Sequence, residues 1–398
     1  MNGTGPIAEL AALHAGFPLA GGPPNGLLSA DPALFDYLLS VLREDPCPPP
    51  ARSAEAWHAF LSLLDGHTVR PLLAHRLLGH PAGVRPPAHV VDRLRDELLR
   101  SAAVAMREDR VLAALLERLG EIGIAPLLLK GAALSRSVYP DPSARPGSDV
   151  DLLVREDELE SCSETIAEMG YRAPYDFHAF SPFTTPHQVF LPPPGAPTAR
   201  PLELHWGLGQ GFAQDSARLD GLFSRSIAVP YPAFAFRTLS HADHLVFCAH
   251  HALYHHGDRV RLGWICDLAY LSRLLTRADW EALPARAVEH RARIATGTGL
   301  RMASAWAGSP RPSDAVLAGW PEPSRAELAD WKYVAREGAP RLDVLRMQLH
   351  FIPTRRGKAR YLVGSVFPPR GKILFDLGRE QSAPGSTCRW WLSYWRRR

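Results

Sequence analysis

A change of hydrophobic period after Leu119 constrains this chain more than any other feature. From Val91 to Leu119 the apolar residues fall at helical spacing, and Gly120 and Gly123 close the stretch. Beyond it the apolar runs become short: "IAPLLLK", "DVDLLV", "HQVFL" and "PLELHW". Runs of that length, bounded by Gly, Pro and polar residues, predict buried strands. Only "PPPGAPTAR" separates the last two, which predicts a hairpin or near-hairpin. Helical patterns resume in "LSHADHLVFCAHHALYHH" and "LGWICDLAYLSRLLT". The predicted organisation is an α+β chain. Residues 1–30 are loosely ordered, 31–100 helical, 101–212 the sheet-bearing core, 213–310 helical again, and 311–398 a basic extension.

Composition sets outer bounds. The 398 residues suffice for two or three domains, and 46% hydrophobic with 22% charged residues is ordinary for a globular chain. No apolar run approaches the roughly 18 residues of a membrane span, and the N-terminus has no basic segment before its short apolar stretch. Together these predict a cytoplasmic protein. Five scattered cysteines, without a C-x-x-C pair, predict neither a disulfide framework nor a zinc knuckle. The net charge of +4 hides an asymmetry. From Arg341 to Arg398 there are 13 Lys/Arg and 3 Asp/Glu, a net of +10, which leaves −6 for the rest. That imbalance concerns partners rather than fold.

The run "DVDLLV" carries two acids on an otherwise apolar strand. Side chains at i and i+2 share a face, so Asp149 and Asp151 project together while Val150, Leu152 and Val154 face a core. Two carboxylates so close repel unless a cation lies between them. Mg²⁺ (or Mn²⁺), a hard ion that takes carboxylate and phosphate oxygens, fits that need. Glu203 in "PLELHW" alternates with Leu202 and Leu204, and is the acid expected to complete a three-carboxylate metal site. Upstream, Lys130 and Gly131 stand where a strand turns into a helix. There a glycine allows close backbone approach and a helix N-terminus favours an anion. Arg145 and Ser148, just before the acids, are placed to reach the same phosphates. The ordered set is more specific than any of its members.

In "LLLKGAAL…YPDPSARPGSDVDLLV", followed by "LELHW", the sequence resembles a bacterial family of uncharacterised nucleotidyltransferases of the DNA polymerase β-like superfamily. The resemblance covers about residues 35–290, including "HHALYHH…LGWICDLAYL". It implies a minimal nucleotidyltransferase core, a small mixed sheet with helices, flanked by helical segments. It also implies transfer of a nucleotide from an NTP, with ATP the first expectation, to an acceptor. Where many superfamily members have G-G or G-S, this chain has Gly131-Ala132 after Lys130. The acceptor expected is a small molecule or a peptide. Genes of such family members often accompany those of peptide natural products, so peptide modification is expected by analogy. The same parts also serve a phosphotransferase that moves the γ-phosphate. A non-catalytic nucleotide- or partner-binding module is the alternative from another class.

Other residues are weighed against blander roles. His251 and His255 stand at i, i+4, a zinc-binding spacing, but no third ligand accompanies them, and a packing role is favoured. The resemblance places a His here, so His251 is a candidate acceptor contact. His205 shares the face of Glu203 and either orients a carboxylate or contacts the acceptor. Asp267, on an otherwise apolar helix, is expected to pair with an arginine such as Arg261. "CRWWLSYWRRR" reads as a docking segment whose Trp residues cover the body while the Arg tips stay wet. No nucleic-acid-binding motif is present, and no nucleic-acid partner is expected.

Overall fold

The computed structural model describes residues 31–174, 187–196, 199–208, 216–255 and 260–310, and beyond them separate segments up to residue 392. Among the described residues the chain forms thirteen α-helices and one six-stranded mixed sheet. Four helices come first: α1 (Pro32–Leu42), α2 (Ala54–Leu63), α3 (Arg70–Leu78) and α4 (Ala88–Glu121). Asp31 caps α1 by accepting from the Ala33 and Leu34 amides, with Pro32 at the first helical position. The 34-residue α4 ends where Gly123 adopts φ +76°, a conformation that only glycine reaches without strain.

The sheet follows as β1 (Leu127–Leu128), α5 (Lys130–Ser137), β2 (Val150–Leu153), α6 (Leu159–Glu168), β3 (His187–Phe190) and β4 (Leu202–His205). After α7 (Ser216–Arg225) comes a hairpin, β5 (Ile227–Tyr231) and β6 (Phe234–Thr238). The strand order is β3-β4-β2-β1-β6-β5. β2 runs parallel to β4 and antiparallel to β1, and β1 runs parallel to β6. β3 and β4 form the antiparallel pair expected from their spacing.

The β5–β6 pair extends the sheet past residue 212, into the stretch that sequence alone gives to helices. The segment has an apolar run, "IAVPYPAFAF", but Pro230 sits within β5 and Pro232 in the turn, and prolines argue against a regular strand. A proline is tolerated there because β5 is an edge strand, with its free side away from the ladder. Six further helices follow: α8 (His241–His250), α9 (Leu262–Leu274), α10 (Arg277–Glu289), α11 (Arg293–Ala307), α12 (Arg325–Val334) and α13 (Arg355–Val366), with a π-helical turn, His251–His255, continuing α8.

Alternation along the strands divides the core in two. Leu128, Val150, Leu152, Val154, Leu202 and Leu204 pack with Leu112, Leu115 and Leu119 of α4 and with Cys162 and Ile166 of α6. On the opposite face Leu127, Leu129 and Leu153 join the large helical core that includes Leu245, Val246 and Phe247 of α8. The acids of β2 and β4 lie on this second face, between the sheet and α8–α9. At the C-terminal end, the Trp391 indole donates to the Val366 carbonyl at 2.8 Å and stacks on Phe367. Trp391 thus packs against neighbouring parts of the C-terminal extension itself. The rest of "CRWWLSYWRRR" apart from Leu392, His256 and residues 1–30 lie outside the described residues.

Candidate active site

Register brings the acids together. In the parallel β2–β4 ladder Asp151 stands opposite Glu203, and Leu153 opposite His205. Asp151, Glu203 and His205 each offer a ligand atom, and the three atoms lie within 4.8 Å of one another. Asp151 is 1% exposed. The Lys130 ammonium meets its Oδ1 at 2.7 Å, and His205 Nε2 meets the same oxygen at 2.9 Å. His205 Nε2 also stands 3.5 Å from Glu203 Oε2. His205 thus ties the two carboxylates together, the orienting role among the two that its place on the strand allows.

The two acids of the D-x-D motif are not equivalent. Burial opposes ionisation of Asp151, but Lys130 and His205 outweigh it and hold the carboxyl well below its usual range. Asp149 stands beside the tight group, at the rim. Burial, then the Asp151 and Glu203 charges, push it up to about 6, against smaller opposing effects of Lys130 and the Ser148 side chain. Lys130 is raised despite burial, because Asp151, Glu203 and Asp149 all attract its charge. His205 is likewise raised by Asp151 and Glu203 against burial. The site therefore holds three carboxylates against one lysine and one histidine, and Asp149 carries the imbalance.

A backbone device fixes Lys130. Its φ is +44°, a left-handed conformation that costs a non-glycine residue roughly 1–2 kcal/mol. Its amide donates to His244 Nε2 at 3.1 Å. Burial pushes His244 down to about 3, so the ring is neutral and can accept. Nδ1 of the same ring faces the Thr238 hydroxyl at 3.5 Å, and that hydroxyl donates to the Leu128 carbonyl at 2.7 Å. The chain from β6 through α8 thus pins the strand-to-helix turn. Sequence reasoning misses His244; its signal is a His in the first turn of a helix that follows a strand.

Arg145 lines the same cavity as Lys130 and Gly131, with its charge already matched by a carboxylate. One edge of its guanidinium, Nε and Nη2, donates to the two oxygens of Asp267 at 2.8 and 2.7 Å, and Tyr139 donates to the same carboxylate at 2.7 Å. Asp267 therefore pairs with Arg145, a correction to the expected Arg261. Arg145 also underlies Gly131: a Cβ there would stand 3.1 Å from Nη1, so any larger residue crowds the guanidinium. Arg145 thereby braces the Lys130–Gly131 turn. Ser148 is exposed and, with Lys130, Gly131 and Asp149, borders a cavity of about 210 Å³. His251 lines the cavity from the far side, with Arg261 and Trp264. His187 is a further residue the sequence reading misses. It is the register partner of His205, with ring centroids 5.1 Å apart, and burial pushes it down to about 3.

The family profile described as uncharacterised nucleotidyltransferase matches residues 53–308, which include every element of this site. The chain belongs to that family. No curated protein is significantly similar to it. The match takes in the sheet, the helices α8, α9 and α11, and the cavity between them, so the helical segments are part of the family's unit.

The donor set suits a divalent cation. It offers carboxylate oxygens on two paired strands, a histidine nitrogen beside them, and a crowded acid whose raised pKa marks missing positive charge. Among the described residues no helix is long and apolar enough to cross a membrane.

Proposed function

We propose that this protein is a metal-dependent nucleotidyltransferase with a polymerase β-like core. It moves a nucleoside monophosphate from an NTP, ATP being the first to test, to a hydroxyl of a small-molecule or peptide acceptor. The observation that carries this reading is the convergence of Asp151, Glu203 and His205 beside Asp149 on paired strands. Family membership supports it by implying an NTP substrate.

Asp149, Asp151 and Glu203 would hold Mg²⁺ or Mn²⁺, with His205 orienting the carboxylates. Bound there, the ion supplies positive charge for the phosphates and the transferring group. Lys130 borders both the carboxylates and the cavity, and balances phosphate charge at that boundary. Gly131 and Ser148 present the phosphate-binding turn, and Arg145 keeps that turn in place through Asp267. Glu203, held ionised by His205, accepts the proton of the acceptor hydroxyl. His251 faces the cavity and is a candidate substrate contact.

Incubation of the protein and Mg²⁺ with α- or γ-labelled ATP and a metabolite or peptide pool tests the reading. Label from the α-position on an acceptor, with none from the γ-position, is the expected result. Transfer from the γ-position alone makes the protein a phosphotransferase, and no transfer with retained ATP binding makes it a binding module.

A further inference from the structure

The cavity beside the carboxylates has two walls of different origin. Lys130, Gly131, Ser148 and Asp149 form one; the second comes from the end of α8 and the start of α9, with His251, Arg261 and Trp264. Three cations line it, and two are already matched. Lys130 pairs with Asp151, and Arg145 is matched by Asp267 in a two-point pair. Arg261 has no carboxylate partner among the described residues. Its guanidinium lies over the Trp264 ring, 4.9 Å from the centroid, and Trp264 meets the His251 ring edge-on at 5.5 Å. An aromatic face orients a guanidinium without consuming its N–H donors, so the planar fork remains available to an oxyanion.

Reaction geometry says which oxyanion belongs there. In nucleotidyl transfer the acceptor oxygen bonds to the α-phosphorus as the bond from that phosphorus to the α–β bridging oxygen breaks. The electron pair leaves with pyrophosphate, and the acceptor proton passes to a base. Attacking and leaving oxygens lie roughly in line, on opposite sides of phosphorus. Glu203, the proposed base, is absent from the cavity wall, whereas Lys130 and Asp149 lie on it. The leaving side is therefore the cavity side. At about 210 Å³ the cavity is smaller than the roughly 300–1,000 Å³ of sites that enclose a whole drug-sized ligand. It suits a polyphosphate tail better than a complete nucleotide.

Resting on the nucleotidyltransferase reading, we propose that Arg261, posed on Trp264 beside His251, binds the terminal phosphates of the NTP and the pyrophosphate that departs. The family's helical segment thus supplies half of the nucleotide site, opposite the strand-borne motif.

Calorimetric titration of the full chain in Mg²⁺ with inorganic tripolyphosphate and, separately, ATP tests this. Arg261→Gln is expected to weaken both ligands by about tenfold or more, the scale of a lost charge-assisted hydrogen bond. Arg261→Lys keeps the charge but loses the fork, and is expected to fall between the two. It also carries the test if the glutamine variant fails to fold. Pyrophosphate should inhibit turnover less in both variants. Tripolyphosphate binding unchanged in both folded variants, with ATP bound by the wild type, overturns this inference and leaves the reading intact. Variants that raise only the KM of the acceptor also overturn it, since the oxyanion then belongs to the acceptor. A wild type that binds neither tripolyphosphate nor ATP overturns the reading and the inference together.

Discussion

Two buried charge clusters flank the sheet, and they are built on opposite terms. In one, Arg136 of α5 donates to Glu108 at 2.9 Å and to Asp109 at 2.8 Å, and Arg200 pairs with Glu108. Two arginines face two acids, with Tyr231 also donating to Asp109, so the charges cancel. In the other, three acids face Lys130 and His205, and burial together with the Asp151 and Glu203 charges pushes Asp149 up to about 6. The first cluster is complete as it stands and ties α4, α5 and the sheet hairpin together. The second gains from any added cation. Burial of charge alone does not mark a functional site; an unbalanced sum does.

Asp151→Asn should produce the largest effect. It removes the negative charge of the carboxylate shared by Lys130 and His205, and turnover should fall roughly a thousandfold or more. Stability should fall as well, because the fold favours the ionised form of this residue. Steady-state transfer and thermal melts measure the two effects. Turnover near wild type would mean that the acid-rich cluster is not the reacting centre.

Arg136→Met attacks the balanced cluster. It leaves Glu108 and Asp109 buried without their central partner and should cost about 3–5 kcal/mol in denaturant unfolding. Turnover per folded molecule should stay within about twofold of wild type, because Arg136 contacts no residue of the site group. A large loss of turnover in fully folded protein would erase the contrast between the clusters.

Asp149→Asn gives the smallest effect and the opposite sign. The folded-state pKa of Asp149, about 6, lies above the ordinary aspartate value of 3.8. Its contribution to stability is thus fully present below about pH 4 and is lost as pH rises through 6. Replacing it should stabilise the metal-free protein by about 1–3 kcal/mol at pH 7, with the gain vanishing towards pH 4. Melts of variant and wild type across that range show the difference directly. A gain that is constant with pH would remove the charge argument.

How much of this was legible in the sequence follows from the range of each interaction. Strands β1 to β4 and the common face of Asp151 and Glu203 are written in short apolar runs with period-two alternation, a local signal. The bond from Arg145 to Asp267 spans 122 residues, and the one from the Lys130 amide to His244 spans 114. Spacing along the chain carries no information about either, so the pairing of Arg145 with Asp267 and the role of His244 went unnoticed. The β5–β6 hairpin was hidden because Pro230 and Pro232 interrupt its apolar run, and proline inside a run argues against a strand. Asp149 and Asp151 looked alike because the difference between them lies in their neighbours, Lys130 and His205, rather than in the motif.

The central claim is that the unbalanced acids form a cation site, and Mn²⁺ titration of the full chain near pH 7.5, followed by calorimetry, tests it most directly. Wild-type protein should bind Mn²⁺ in the presence of ATP, Asp151→Asn and Glu203→Gln should lose most of that binding, and Arg136→Met should keep it. Binding to the wild type should also weaken and release protons as pH falls below about 6, where Asp149 must give up its proton to the ion. A wild type that takes up no Mn²⁺ with or without ATP, or a folded Glu203→Gln that binds it as tightly, would contradict the account.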